Sequence, residues 1–180
     1  DTNYAETTYG HDAQGRRDRV VSPGGTITRS VLDNLGRFES QWVGTDDTPT
    51  SGDWSPTNNS GANMVKVVEY EFDGDAAGGN GNRTKEIRYL TDAVEANARV
   101  TEFKYDWRDR QVFVIDPEEY SSKVLYSRVD LDNLGRVEKS ERYWDADDDE
   151  SFPTDGTVDS GDRLLSRTQN LYDKLGRVYS

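Results

Sequence analysis

Acidic side chains supply the first candidates for chemistry in this 180-residue sequence. Asp145, Asp147 and Asp149 alternate like the first three ligands of a calcium-binding loop, and Asp73 and Asp75 offer further hard carboxylate oxygens. The glycine and the bidentate glutamate of an EF-hand are absent from their places. Two interpretations therefore stay open: these residues bind calcium, or they belong to solvated acidic loops.

Catalysis has little support in the residue types. The single histidine, His11, lies beside Asp12 in a predicted turn, and no cysteine is present. The lack of cysteine excludes disulfides and thiolate metal sites. Paired carboxylates are so frequent that no one pair identifies an acid and a base. We therefore expect no enzymatic activity and no required cofactor.

Trp54, in the segment SGDWSPTNNS, is the candidate for a binding function. An exposed indole at this place would stack on a glycan ring or on a partner protein. The alternative interpretation is that the ring anchors its own loop to the rest of the fold. The sequence leaves both interpretations open.

The composition limits the class of protein. The net charge is −13, with hydrophobic residues at 32% and charged residues at 32%, which leaves material for only a thin core. An acidic surface repels the phosphate backbone, so we expect no nucleic-acid partner. No apolar run approaches the roughly 20 residues that span a bilayer, so we expect no membrane insertion. An acidic, cysteine-free chain of this kind is typical of extracellular or cell-surface bacterial proteins.

A short phrase recurs along the chain. LDNLGR occurs at 32–37 and 131–136, and YDKLGR occurs at 172–177, with degenerate copies at 11–16, 72–83 and 105–110. Copies of the phrase recur about every 20 residues. The spacing is longer where loops are inserted, at 44–63, 73–82 and 145–162. Asp33 and Asp132 are 99 residues apart, which indicates a longer super-repeat. The whole of 1–180 is therefore predicted to be one repeat array.

Each phrase has the chemistry of a hairpin turn. Aspartate favours the first position of a type I turn, glycine adopts the left-handed conformation that follows it, and arginine begins the return strand. The aspartates are Asp12, Asp33, Asp106, Asp132 and Asp173; the glycines are Gly15, Gly36, Gly135 and Gly176; the arginines are Arg16, Arg37, Arg110, Arg136 and Arg177.

Proline-containing turns alternate with these aspartate turns. Pro23 and Gly24, in SPGG, match the central positions of a type II turn, and DPEE at 116–119 holds the corresponding place later in the chain. Short runs rich in Val, Ile, Thr and Tyr lie between the turns and favour strands. The sequence therefore predicts an all-β fold: a strip of antiparallel β-hairpins with about twelve strands, curved or spiralling, and no significant helix.

The recurring YDxxGR phrase, with its step of about 20 residues, resembles the RHS-repeat or YD-repeat family. The resemblance implies a strip of β-hairpins that winds into a spiralling shell. In that family complete shells enclose toxic C-terminal cargo in bacterial toxins, and animal teneurins carry a related barrel. The resemblance therefore implies a structural or encapsulating module whose partners are further YD-repeat units. The alternative is an adhesive module that binds a glycan or a cell-surface protein through its inserted acidic and Trp-containing loops.

The two ends of the sequence suggest how such a module continues. The chain starts at Asp1 rather than Met, and its tail joined to its head reads as one further repeat unit. Two explanations stay open. The chain is a piece of a longer array, or it is a subunit that assembles head to tail through open sheet edges into a shell or fibre.

Overall fold

The computed structural model describes residues 4–59, 63–75, 79–90, 97–117, 125–144 and 161–179. These residues contain thirteen β-strands and a 3-10 turn at Asp73–Asp75. The strands are β1 (Thr8–His11), β2 (Arg17–Val21), β3 (Ile27–Leu32), β4 (Phe38–Gly44), β5 (Val65–Phe72), β6 (Arg83–Tyr89), β7 (Ala98–Tyr105), β8 (Gln111–Ile115), β9 (Leu125–Leu131), β10 (Val137–Trp144), β11 (Arg163–Gln169), β12 (Leu171–Tyr172) and β13 (Val178–Tyr179). The prediction of an all-β chain with about twelve strands is confirmed.

The strands pair in the order in which the chain makes them. Strands β1 to β11 form one antiparallel sheet, and β12 and β13 form a separate two-stranded sheet. Tight turns account for this order from β1 to β4, between β7 and β8 and between β9 and β10, because a short turn returns the chain beside the strand it has just left. The chain divides into two compact units, Asp1–Glu71 with Glu86–Arg99, and Phe72–Lys85 with Val100–Ser180. Across the described ranges, nothing helical has the length and apolar character needed to cross a membrane.

Stacked aromatic rings form the core of the second unit. Tyr126 is 1% exposed and stacks on Phe113 and Tyr143, with ring centroids 5.0 and 5.1 Å apart. The register pairs Ile115 with Tyr126 and Tyr126 with Tyr143, so these side chains share one face of β8, β9 and β10. Fully burying a large apolar side chain stabilises a fold by about 1.5–3 kcal/mol. A few rings therefore supply much of the hydrophobic stabilisation of a chain with few apolar residues.

A smaller apolar core lies in the first unit. Ile27 on β3 and Met64, just before β5, are both buried. Phe38 on β4 packs edge to face against Tyr70 on β5, with centroids 5.6 Å apart. Cross-strand aromatic pairs of this kind add about 0.2–1 kcal/mol each.

The turn at Ser22–Gly25 corrects the type II prediction. The N–H of Gly25 donates to the carbonyl of Ser22 at 2.9 Å, and the positive φ, +81°, belongs to Gly25 rather than Gly24. The Ser22 hydroxyl accepts the N–H of Thr26 at 3.1 Å. A type I turn followed by a left-handed residue matches the twist of a hairpin, and the second of two adjacent glycines can supply that residue. Of DPEE, residues 118 and 119 lie outside the described part of the chain; the N–H of Asp116 donates to the carbonyl of Leu125 at 2.8 Å.

The left-handed glycines make a testable prediction for stability. Gly135 has φ +82°, and a Cβ built there would meet only the Arg110 guanidinium at 4.0 Å, so the cost of a side chain is backbone strain rather than a clash. We expect Gly135→Ala to lower the free energy of unfolding by about 1–2 kcal/mol, and Gly135→Val by at least as much.

Gly24→Ala is the matched control, because Gly24 lacks a positive φ and its added Cβ would meet only the Ser22 hydroxyl at 3.9 Å. Urea titration followed by circular dichroism measures both variants. Equal midpoints for Gly135→Ala and wild type would contradict the assigned turn geometry.

Candidate functional site

Five turns share one arrangement of hydrogen bonds, which we call the Asp–Arg clamp. In the clamp at Asp132, one carboxylate oxygen accepts the N–H groups of Leu134 and Arg136 at 2.8 and 2.9 Å. The other oxygen accepts the Arg136 guanidinium at 2.7 Å, while the N–H of Gly135 donates to the Asp132 carbonyl at 3.0 Å. The same clamp closes the turns Asp12–Arg16, Asp33–Arg37, Asp106–Arg110 and Asp173–Arg177.

The fourth position of each clamp has a left-handed backbone. In four clamps this residue is glycine with φ between +78° and +82°, namely Gly15, Gly36, Gly135 and Gly176. The fifth clamp has Asp109 there, with φ +59°. A non-glycine residue in this conformation carries strain of order 1–2 kcal/mol. The carboxylate of Asp109 accepts the side-chain amides of Asn80 and Asn82 at 2.7 and 2.8 Å, which offsets that strain.

The clamps shift the acidity of their aspartates. The pKa of Asp132 and that of Asp173 lie below the usual value chiefly because the backbone N–H of the arginine four residues later donates to the carboxylate. For Asp33 and Asp106 the guanidinium of that arginine is the main cause of the lowered pKa. Burial is the largest influence on Asp12 and raises its pKa, but hydrogen bonds from Arg16 outweigh it. All five carboxylates are therefore stabilised in their charged form.

Arginines of the clamps also bond to the next turn. The Arg16 guanidinium donates to the carbonyl of Asp33 at 2.9 Å. In the same way Arg110 donates to the carbonyl of Asp132 at 2.7 Å. A planar guanidinium can close its own turn and still present a second N–H to a neighbour. One side chain thus joins two consecutive aspartate turns.

Tyrosines next to a clamp aspartate donate hydrogen bonds to the preceding hairpin rather than to the following one. The hydroxyl of Tyr172 donates to the carbonyl of Val137 at 2.9 Å, and the Arg136 guanidinium lies 4.3 Å from the centre of the Tyr172 ring. The hydroxyl of Tyr105 donates to the carbonyl of Arg83 at 2.8 Å. Tyrosine and arginine of the recurring phrase therefore attach each of these hairpins to the one before it.

The candidate calcium ligands are not gathered into a site in the described residues. One carboxylate oxygen of Asp73 accepts the N–H groups of Gly81 and Asn82 at 2.7 and 3.0 Å, so this side chain closes its own loop. Where the chain is described, no cluster of three or more His, Asp or Glu side chains could hold a metal ion. The side chain of Asp75 and all of Asp145, Asp147 and Asp149 lie outside the described residues.

The described part of the inserted loop, residues 44–59, is held to β2 and β3 by a buried carboxylate. Asp47 is 8% exposed and accepts Arg19 at 2.7 and 3.0 Å and Arg29 at 2.6 Å. Arg29 also donates to Asp18 at 2.8 Å. The hydrogen bond from Arg19 is the main reason why the pKa of Asp47 lies below its usual value. The sequence does not predict these ion pairs, because residues separated by 18 and 28 positions leave no local pattern.

The side chain of Trp54 is half-buried rather than exposed to solvent. Its ring meets Trp42 edge to face at 6.2 Å, and the Arg29 guanidinium lies 5.1 Å from its centre. This packing favours the interpretation of Trp54 as an anchor for its loop. Trp107, next to the clamp aspartate Asp106, is instead 83% exposed.

Comparison with known proteins identifies a shared fold. No protein-family model and no curated protein matches the chain. A chain in the crystal structure of TcdB2-TccC3-Cdc42 superposes with a TM-score of 0.61 at 15% sequence identity, over 99% of this chain and 7% of that one. A chain in the crystal structure of TcdB2-TccC3-TEV gives a TM-score of 0.43 at 12% identity, over 97% of this chain and 9% of that one. This protein thus spans a small fraction of the chains it is similar to.

The lowered pKa of Asp132 makes a prediction for stability in acid. Because the folded pKa lies below that of the unfolded chain, the clamp stabilises the fold above about pH 4, the ordinary pKa of aspartate. That stabilisation is lost as the pH falls through the folded value. We expect the urea midpoint of the wild type to decrease as the pH is lowered below about 4. The midpoint of Asp132→Asn is expected to be lower than that of the wild type at neutral pH and to decrease less steeply in acid.

Leu134→Ala is the control for this experiment, since Leu134 lies in the same turn, is 77% exposed and carries no titratable group. We expect it to keep the pH dependence of the wild type. Parallel curves for wild type and Asp132→Asn would contradict the role of the Asp132 carboxylate.

Proposed function

We propose that the chain is a structural wall module of an extracellular or cell-surface bacterial YD-repeat protein, without enzymatic activity. Its role is to form a continuous strip of hairpins that encloses or supports other parts of a larger assembly. The recurring YDxxGR phrase supports this role. The fold shared with part of a TcdB2-TccC3-Cdc42 chain supports it as well.

The links between turns are the observation that carries the proposal. Arg110 and Tyr172 use their polar atoms on backbone carbonyls of the neighbouring turn or strand. Groups of this type that bond to the next hairpin stabilise an array in which each unit depends on its neighbours.

Further YD-repeat units, of the same or a neighbouring chain, are the partners that this role requires. Among the described strands β11 has one neighbour, β10, and all seven residues of β11 are exposed. Leu164 and Leu165 are 41% and 46% exposed on this strand. An exposed edge of this length is a template for pairing with another strand. We therefore propose that β11 pairs with a further unit, which extends the strip into a shell or fibre.

Arg110→Lys tests the links between turns. Lysine can keep an ion pair with Asp106, but a single ammonium lacks the planar fork that reaches both Asp106 and the Asp132 carbonyl. We expect amide hydrogen exchange to accelerate at Gly135, in the next turn, as well as in the turn of Arg110.

Arg177→Lys is the matched control, because this clamp arginine is 75% exposed. We expect faster exchange in its own turn alone. If Arg110→Lys likewise changed only the turn Asp106–Arg110, the turns would be independent, and the proposal would lose the observation that carries it.

The exposed edge makes a separate prediction for assembly. We expect the purified chain to self-associate with rising concentration in sedimentation velocity, and Leu165→Lys to prevent this because a charge on an edge strand opposes pairing. Leu175→Lys is the control, since Leu175 is 78% exposed in a turn rather than on β11. A wild-type chain that stays monomeric at every concentration would rule out assembly through β11.

A further inference from the structure

A cavity of about 430 Å³ lies in the first unit, between the turn that follows β1 and the inserted loop 44–63. Its lining includes His11, Asp18, Asp53 and Trp54. Asp53 and His11 are exposed, whereas Asp18 and Trp54 are half-buried. Elements distant in sequence thus bring an aromatic ring, an imidazole and three carboxylates, those of Asp12, Asp18 and Asp53, to one concave surface.

Two polar atoms of this lining are buried without a hydrogen-bond partner in the described structure. They are the indole N–H of Trp54, a donor, and one carboxylate oxygen of Asp18, an acceptor. The other oxygen of Asp18 accepts the Arg29 guanidinium at 2.8 Å. Buried polar groups are nearly always paired, so an unpaired donor and an unpaired acceptor on one cavity indicate a ligand that does both.

Neighbouring charges restrict what this ligand can be. Arg19 and Arg29 also line the cavity, but their guanidiniums are bonded to Asp47, so they offer no free anion site. The carboxylates of Asp18 and Asp53 repel a phosphate or a second carboxylate. A cation offers no acceptor for the indole N–H of Trp54. A neutral ligand is therefore favoured over either kind of ion.

We propose that the cavity lined by His11, Asp18, Asp53 and Trp54 binds a polyhydroxylated ligand, the size of one monosaccharide unit of a glycan. A hydroxyl group both donates and accepts, so it can donate to a carboxylate and accept the indole N–H. The cavity has room for one sugar ring. His11, Asp18, Asp53 and Trp54 take no part in an Asp–Arg clamp, although the clamp aspartate Asp12 also lines the cavity.

Access to the two unpaired atoms requires a small movement. Both atoms are buried, whereas His11 and Asp53 are exposed. A sugar that binds first to the exposed groups reaches the deeper pair after a side-chain rotation. The indole N–H of Trp54 is therefore the natural reporter, because a new hydrogen bond shifts its proton resonance.

The test is a titration of the ¹⁵N-labelled chain with D-glucose, D-galactose and N-acetyl-D-glucosamine, followed at the assigned indole resonance of Trp54. We expect a saturable downfield shift with at least one sugar, at roughly millimolar affinity. Asp53→Asn is expected to weaken binding about tenfold through the loss of a charge-assisted hydrogen bond. Glu39→Gln, an exposed carboxylate on β4 outside the cavity, is the control and is expected to leave binding unchanged.

Three outcomes would overturn the proposal. The first is no saturable shift with any of the sugars. The second is a saturable shift with inorganic phosphate or methylguanidinium in place of the sugars, which would assign the cavity to an ion. The third is an Asp53→Asn variant that binds as the wild type does, which would place the sugar elsewhere on the chain.

Discussion

A three-residue hairpin loop built on a type I turn keeps its strands paired because the residue after that turn adopts a left-handed backbone. Glycine removes the steric cost of that conformation, but it leaves the N–H groups of the turn to find acceptors. In this protein the clamp aspartate accepts two of them, and the following arginine neutralises the carboxylate. Turn geometry and charge pairing are thus satisfied by one motif, and the hairpin register follows from it.

The clamp also explains why a protein with so few apolar residues can form a large sheet. Its arginines and tyrosines do a second task, because they bond to the neighbouring hairpin as well as to their own. Stabilisation is therefore spread along the strip rather than concentrated in one thick core. The stacked rings of Phe113, Tyr126 and Tyr143 add apolar burial where β8 to β10 meet. A repeat array of this kind needs one turn motif that recurs along the chain, and the sequence contains such a motif.

Local features of the fold could be predicted from the sequence, whereas long-range ones could not. An Asp-x-x-Gly-Arg phrase carries its own turn, so hairpins and strand order follow from residues close in sequence. In SPGG, two adjacent glycines were each able to supply the positive φ, and local pattern did not decide between Gly24 and Gly25. The anchoring of Asp47 by Arg19 and Arg29 depends on tertiary contacts. Asp109 stands where the recurring phrase has glycine. Only the structure shows that its carboxylate accepts the side-chain amides of Asn80 and Asn82.

The described part of the inserted loop, residues 44–59, holds the aromatic ring on which the proposed sugar site depends. Asp47 holds the loop to β2 and β3, and Trp42 with Arg29 holds the ring of Trp54. Because these contacts exist before any ligand arrives, the loop need not be ordered on binding, which removes an entropic cost. The same packing buries the indole N–H of Trp54, which is the donor that the proposed sugar site uses. Anchoring of the loop and the proposed sugar binding are therefore compatible roles for this residue, since the first holds the ring in place for the second.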